Sequence, residues 1–576
     1  MALAFALPFE APLLMVGRLQ VTTVELLLYT ALAAWGLAAL VSLARDPKGV
    51  LRTLESARRD PLVVAAVTWT VVVFASAAAT SNRMATLKFA LRSLSGILVF
   101  FMARSLARPD AVARRVLVAL LLGGLVSAAS AVLESVVPRS FVLWSFFRDQ
   151  SFTASGLPRA SGVFIYPTIG AMYWEAVLPL LVVAPLVLAQ ARRSAWLTVL
   201  GAVILSGAIV ASATRSSLAG GAITCAGLFL ATRRWRPSSP SVARAALAVL
   251  ATLVVTSAIA SAAPGTGTLS GQRLRFWRDD TWFGVTYEAP AGPRTVTAGA
   301  RFATPITLHN TGTLAWTHAG ARAVRLGYHL FRTRPGEHDA CTVFDGRRTQ
   351  LGDDVLPGGA IQVTAVATAP EAPGTYRVAW DVVQEGVTWF SERGNTMANE
   401  EIVVVPGVAM NKGAPDLAEI TGTEVAPVPA RFALWRAAVR LFAEHPLLGI
   451  GPDNFRRRYE HVIAPAPNGQ PYLDTRIHAN SLYFETLADM GIAGVIALAA
   501  LGLGLLRALR RAWAGRQVMR LGFAVAATSF FVHGLSDYFF EFTPAFGLFW
   551  VLLGLATTGG EDAVASPSPA PAGTPS

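Results

Sequence analysis

The chain reads as a polytopic α-helical membrane protein of about twelve spanning helices, with an extracytoplasmic all-β domain of immunoglobulin-like sandwich type inserted in one large outer loop. Three observations carry this reading. Hydrophobic residues make up 53% of the 576 residues, charged ones only 15%, and mean hydropathy is +0.47, too high for a soluble protein. Apolar runs of about 20 residues, the length a spanning helix needs, recur along both ends of the chain. Between them, residues 264–481 are far too long for a connector, and within them residues from about 282 to 406 alternate polar and apolar.

Taken in order, the expected spans lie near 2–17, 23–43, 61–79, 87–106, 115–136, 168–189, 196–213, 215–232, 244–263, 482–506, 520–540 and 543–558. The first is the weakest and is the one expected to dip into the bilayer. It lacks a basic start and carries Pro8 and Glu10, which also argues against a cleavable signal peptide. Alternate connections carry Arg45, Lys48, Arg52, Arg58 and Arg59, then Arg108, Arg114 and Arg115, then Arg192 and Arg193. Arg233, Arg234 and Arg236 follow, and last Arg507, Arg510, Arg511 and Arg516. A twelve-span count puts all of these on one side, which should be the cytoplasm of an inner-membrane protein. Topology therefore accounts for the net charge of +13 better than a nucleic-acid partner does. The two cysteines, Cys225 and Cys341, imply no disulfide framework.

The division that follows is a membrane domain over 1–264 with nine helices, a β-sandwich over 282–406, a linker over 407–430, an outer-loop region over 431–481, three last helices over 482–558 and a disordered tail over 559–576. In the sandwich, FATPITLH, AVRLGYHL, IQVTAVAT, TYRVAWDVV and EEIVVV read as strands between turn signals. Trp316, Tyr376, Trp380 and Trp389 supply its aromatic core, or else a sugar-stacking face.

The stretch from Arg431 to Gly494 organises the rest. Phe432, Trp435, Val439 and Phe442 share one face of an expected helix flanked by Arg431, Arg436 and Arg440, which suits the plane of a membrane surface. Pro446 and the glycines of LLGIGPDNF end that helix, and Arg456 follows them. His478 and Asn480 then stand just above an apolar run, at the depth of a lipid-linked headgroup. Alternatively, His478 caps a helix start.

Further cations gather at the same outer face. Lys88 and Arg92 are four apart on one helix face, Arg159 precedes a span in GLPRASGVFIYP, and Arg215 sits between two spans in SATRSS. A cation at that depth faces the bundle interior or an aqueous cavity and carries function, or snorkels to lipid phosphate. His533 and Asp537, four apart in HGLSDYFFEFTP, either serve the site or hydrogen-bond each other. Guanidinium groups facing one cavity need an anionic partner, and at this depth a polyisoprenyl pyrophosphate fits. Arginines would stabilise the departing pyrophosphate and a histidine would take the acceptor's proton, with no metal or other cofactor required.

The segments LPRASGVFIYP, SATRSS, HPLLGIGPDNF, HANSLYFETLADMGIAG and HGLSDYFF, in this order and with a large loop before the fourth, resemble the O-antigen ligase and polymerase superfamily of bacterial membrane glycosyltransferases. The resemblance implies twelve spans and metal-independent transfer from undecaprenyl pyrophosphate to a glycan or lipid A-core acceptor at the outer face. It implies Arg215 and Arg159 as pyrophosphate or glycan contacts and His478 as the base; Lys88, Arg92, Asn480, Arg456, His533 and Asp537 are candidate substrate-binding residues on the reading of the outer face itself. Two departures stand out. Asn480 and Ser481 occupy the register of the family's His-Asn pair, with His478 two residues earlier, and the β insertion replaces a largely helical loop. A lipid-linked glycan exporter and a non-catalytic anchor for the sandwich are the rivals from other classes.

Overall fold

The structure is a computed structural model. It describes residues 1–557 apart from 17–18, 79, 81, 108, 138–139, 149–151, 155–156, 188–193, 234–239, 263–281, 291, 321, 335–338, 408–418 and 421–427. The tail over 559–576, most of the linker, and Arg108, Arg192, Arg193, Arg234 and Arg236 therefore lie outside the described residues.

The expected first span is not a helix. α1 covers only Ala2–Ala6, and Pro8 and Pro12 turn the chain into a hairpin of β1 (Pro12–Val16) and β2 (Leu19–Thr22). α1 packs half way along a later helix, where a Cβ on Gly123 would meet the Phe5 carbonyl at 2.4 Å. The segment is thus tucked into the bundle rather than drawn through it.

The other expected spans are helices. They are α2 (Thr23–Arg45), α4 (Pro61–Ala78), α5 (Arg83–Leu106) and α6 (Asp110–Val136), then α8 (Pro167–Val187), α9 (Ser194–Ala211), α10 (Arg215–Thr232) and α11 (Pro240–Ala262). α3 (Pro47–Arg58) precedes α4 at a sharp bend, and the one-turn α7 (Phe141–Trp144) follows α6. After the β domain come α12 (Arg431–Glu444), the one-turn α13 (Phe455–Arg458), α14 (Leu482–Ala514), α15 (Val518–His533) and α16 (Thr543–Thr557). Among the described residues six helices are long and apolar enough to cross a membrane, or seven if α3 and α4 form one bent span; α9, α15 and α16 are shorter apolar helices. This is a polytopic helical membrane protein.

Contacts separate the two ends of the bundle. At one end Arg104 pairs with Asp60 at 2.6 Å, Arg520 with Asp110 at 3.2 Å, and Trp513 Nε1 donates to the Ala231 carbonyl. At the other, the Arg92 guanidinium donates to the Glu541 carbonyl at 2.5 Å and the Leu482 N–H to the Gly534 carbonyl at 2.8 Å.

The inserted domain comprises two sheets over a shared core. One carries, in order, Glu419–Ile420, Arg348–Gln350, Val324–Arg332, Gly374–Gln384, Ala398–Val405 and Arg294–Thr297, and the other Ala360–Thr368, Arg301–Asn310 and Val285–Glu288. Their central strands are β7 (Arg301–Asn310), β8 (Val324–Arg332), β11 (Ala360–Thr368), β12 (Gly374–Gln384) and β14 (Ala398–Val405), each covering one of the five expected runs. Trp316, Tyr376, Trp380 and Trp389 are all buried, so they pack rather than face solvent. Within the expected linker, Glu419–Ile420 pairs antiparallel with Arg348–Thr349. The apolar cluster of this domain also takes in Ala213, from the turn that leads into α10.

α14 is broken at Gly491, whose backbone (φ 60°, ψ −156°) is not helical. The HPLLGIG segment fills the break. Ile492 and Ala493 N–H groups donate to the carbonyls of Pro446 (2.9 Å) and Leu447 (3.2 Å). In return Ile450 and Gly451 donate to the carbonyls of Ala488 (3.0 Å) and Asp489 (2.9 Å). Each side supplies what the other lacks, as buried backbone requires. The approach is close: a Cβ on Gly449 (φ 69°) would lie 2.3 Å from the Asp489 carbonyl carbon, and one on Gly491 2.6 Å from the Pro446 oxygen. Either glycine replaced by alanine should therefore cost more than about 2 kcal/mol, from left-handed strain plus overlap with backbone. Thermal unfolding of the purified full-length variants in detergent checks this, and unchanged melting would contradict the docking.

Candidate functional site

The HPLLGIG segment continues into a loop that Asp489 caps. Its carboxylate accepts from the N–H groups of Asp453 and Phe455, both at 2.8 Å. Asn454 reaches across to the Thr80 and Thr86 hydroxyls at 3.0 and 2.8 Å, fastening the loop to the start of α5. The loop thereby delivers Arg456, which grips Asp453 with two bonds of 2.5 and 2.7 Å and stands 3.8 Å from Glu541. The guanidinium is held even above its ordinary value by Asp453.

His478 is buried beside this loop, and both of its ring nitrogens face carboxylates. Nδ1 lies 2.7 Å from Glu485 Oε1 and Nε2 2.5 Å from Glu541 Oε2. The second Glu485 oxygen accepts from the Ala479 N–H at 2.6 Å, and the ring lies against Tyr538. Burial alone would push the imidazole pKa down, but the Glu485 and Glu541 charges and hydrogen bonds overcome it and hold it well above 6.5. Burial likewise pushes Glu541 up, yet the His478 bond and charge, with Arg456 behind them, bring it down to about 2. His478 is therefore an imidazolium bound at both ends, with no lone pair to receive a proton. A base role for it would require one of the two carboxylates to move away and the imidazolium to lose that proton.

Arg92 sets the third wall. Its guanidinium donates to the Glu541 carbonyl and the Thr543 hydroxyl and lies over Phe546, fixing the turn that carries Glu541. Lys88, one turn earlier, is exposed and sits outside this cluster. Asn480 is half-buried in left-handed backbone (φ 49°), directing the chain from His478 into α14.

A second cluster lies where α8, α10 and α15 meet. His533 is the last residue of α15 and fully buried, with Nδ1 2.7 Å from Glu175 Oε2 and 3.1 Å from Ser217 Oγ. Its Nε2 lies 3.2 Å from Ser216 Oγ. The expected bond between His533 and Asp537 does not form. α15 ends at His533, the chain turns at Gly534, and the Asp537 carboxylate instead accepts from the Tyr538 N–H at 2.8 Å. Arg215 is the half-buried first residue of α10, next to Ser216. Arg159 braces the turn before it, donating to the Ser212 carbonyl at 2.8 Å and the Thr214 hydroxyl at 3.2 Å. That turn holds Ala213 in left-handed backbone (φ 52°).

Sequence reasoning missed the carboxylates that pair in these clusters, Glu175, Asp453, Glu485, Asp489 and Glu541, and also Glu134, whose buried pair with Arg148 (2.5 Å) holds the turn at Gly162. The available signal was an acid inside an apolar run, as in PTIGAMYWEAVLPLL, which is costly unless paired. Asp453, His478 and Glu541 also bring ligand atoms within 4.8 Å of one another, the spacing of a metal site. Here each faces an opposite charge, and a cation entering would have to displace the Arg456 guanidinium and the imidazolium.

The expected stripe on α12 is only partly exposed. Leu434, Ala437, Ala438 and Leu441 pack inward, whereas Phe432 (72% exposed) and Val439 face out. Trp435 bridges the two faces, stacking on Phe484 and donating to the Ala479 carbonyl at 3.1 Å.

The helices and the charged clusters at one end of the bundle define a multi-pass membrane protein with a polar site at the mouth of its core. Residues 382–499 match the sequence profile of the O-antigen ligase family, which supports a membrane glycosyltransferase of the ligase or polymerase kind. That match spans the docked HPLLGIG loop, His478 and α14 as far as residue 499, including its break at Gly491. No curated protein matches the chain.

The His478 pair fixes a pH window. The Glu541 share of its stability is present above 4.5 and lost as pH falls through about 2; the His478 share is complete below 6.5 and lost as pH rises through its raised value. In ¹⁵N-histidine-labelled protein, His478 should show the imidazolium signature at pH 7, and Glu541→Gln should lower the pH at which it deprotonates. A neutral imidazole at pH 7 in the unaltered protein would contradict the assignment.

Proposed function

We propose that the protein is an O-antigen ligase-like glycosyltransferase that moves a saccharide from undecaprenyl pyrophosphate to an acceptor hydroxyl at the outer face of the inner membrane. The observation that carries this is the placement of Arg215 at the N-terminus of α10, beside the turn braced by Arg159 and at the same end of the bundle as the Arg92, Arg456 and His478 cluster. A helix N-terminus bearing a guanidinium suits a diphosphate, since both concentrate positive charge where the leaving group's negative charge develops.

Orientation follows from Arg104, Arg233, Arg507 and Arg511 lying toward the opposite end of the bundle, the end expected to face the cytoplasm. The exposed Phe432, Val439 and Leu447 with Arg431 and Arg436 nearby support a position for α12 in the membrane interface, where lipid-linked donors reside. The inserted domain, read as immunoglobulin-like, rests on the turn before Arg215 through Ala213 and would roof the site. In this reading Arg215 stabilises the departing pyrophosphate, Arg159, Arg92 and Arg456 hold the surrounding loops, and His478 contributes a fixed positive charge rather than a base.

A polymerase of the same superfamily uses the same donor, so the acceptor decides between them. Glycan analysis of a deletion strain separates the two: long lipid-linked polymer accumulates if a ligase is lost, single lipid-linked repeat units if a polymerase is lost. Complementation with Arg215→Ala should lower transfer by about 10²-fold or more, the usual cost of removing one donor to a developing anion. Normal surface polysaccharide from that variant would count against catalysis and favour an anchor for the β domain.

A further inference from the structure

If protein-bound His478 has no free nitrogen, the acceptor's proton must go elsewhere, and the second cluster contains the parts. We propose that Ser216, His533 and Glu175 form a proton relay that deprotonates the acceptor hydroxyl, an inference that rests on the glycosyl-transfer reading above. The order of contacts is serine, imidazole, carboxylate: Ser216 Oγ to His533 Nε2 at 3.2 Å, then His533 Nδ1 to Glu175 Oε2 at 2.7 Å. A carboxylate only accepts, so Glu175 fixes the tautomer with the proton on Nδ1 and leaves the Nε2 lone pair toward the Ser216 hydroxyl. This is the orienting logic by which a buried acid sets a histidine to act as a base.

Burial grades in the direction the relay needs. Glu175 and His533 are fully buried, whereas Ser216 is half-buried and follows Arg215, so its hydroxyl is the open end beside the pyrophosphate contact. The backbone is cut to admit the acid. A Cβ on Gly220, one turn along α10 from the serines, would lie 1.9 Å from Glu175 Oε1. Ser217 adds a hydroxyl 3.1 Å from Nδ1, steadying the ring.

In the step, the acceptor oxygen attacks the anomeric carbon as its proton passes to Ser216 Oγ and the serine's own proton passes to His533 Nε2. The bond from that carbon to the pyrophosphate oxygen breaks, and the pyrophosphate leaves with the electron pair. The imidazolium, stabilised by Glu175, then returns its proton to water or to the released pyrophosphate. Ser216 is thus a catalytic residue, and Glu175 a positioning one.

The test uses full-length protein in membrane vesicles from the deletion strain, following release of undecaprenyl pyrophosphate from the accumulated lipid-linked glycan as a function of pH. The unaltered protein should show kcat rising with pH through one ionisation. Ser216→Ala and Glu175→Gln should lower kcat by about 10²-fold or more, leave KM nearly unchanged and abolish that rise. Ser216→Thr, which keeps a hydroxyl, should restore both. Arg215→Ala should lose rate yet keep the pH dependence. Wild-type kcat and pH dependence in Ser216→Ala and Glu175→Gln, or a loss of rate with the pH dependence intact, would overturn the relay while leaving glycosyl transfer standing. A wild-type protein that releases no undecaprenyl pyrophosphate would overturn the functional reading, and the relay with it.

Discussion

The interaction on which the outer end of this molecule depends is the exchange of backbone hydrogen bonds across the break at Gly491. A helix of this length would ordinarily satisfy its own N–H and carbonyl groups. Here four of them turn outward and are met by Pro446, Leu447, Ile450 and Gly451. The exchange pins the loop to α14, and Asp489 caps it from the same turn. Arg456 and Asp453 then stand beside Glu541, and α14 opens with Glu485 aimed at His478. Precision at the site comes from backbone geometry that tolerates no side chain at 449 or 491.

Charge is handled differently at the two clusters. Around His478, two carboxylates and Arg456 compensate one another, so the group is a fixed electrostatic element rather than a titrating one. Around His533 a single carboxylate faces one ring nitrogen and hydroxyls complete the contacts. Two buried histidines at the same end of one bundle thus have different surroundings, one with acids on both sides and the other with an acid on one side only.

Residues legible in the sequence were those whose role follows from local pattern. Apolar runs located α2, α4 to α6, α8 to α11 and α14 to α16, period-two alternation located β7, β8, β11, β12 and β14, and intramembrane cations singled out Arg92, Arg159 and Arg215. Local pattern failed where distant segments supply the partner. Residues 2–17 are apolar enough to span, yet they fold into the side of α6 because two prolines shorten the helix. On α12 the sequence pattern marked the aromatic stripe, but that Leu434, Ala437, Ala438 and Leu441 form the face packed inward was not legible without the neighbouring α14.

Composition and periodicity were sufficient for the membrane class, the insertion of a β domain and the gathering of cations at one face, since each follows from what water and lipid exclude along a single stretch of chain. Which imidazole has acids on both sides, and which on one, could be seen only in three dimensions. Glu485 is close to His478 in sequence, but Glu541 lies 63 residues away, and Glu175 lies 358 residues from His533. Protonation depends on charges within a few ångströms, and neither the spacing nor the identity of neighbouring residues along the chain carries that information.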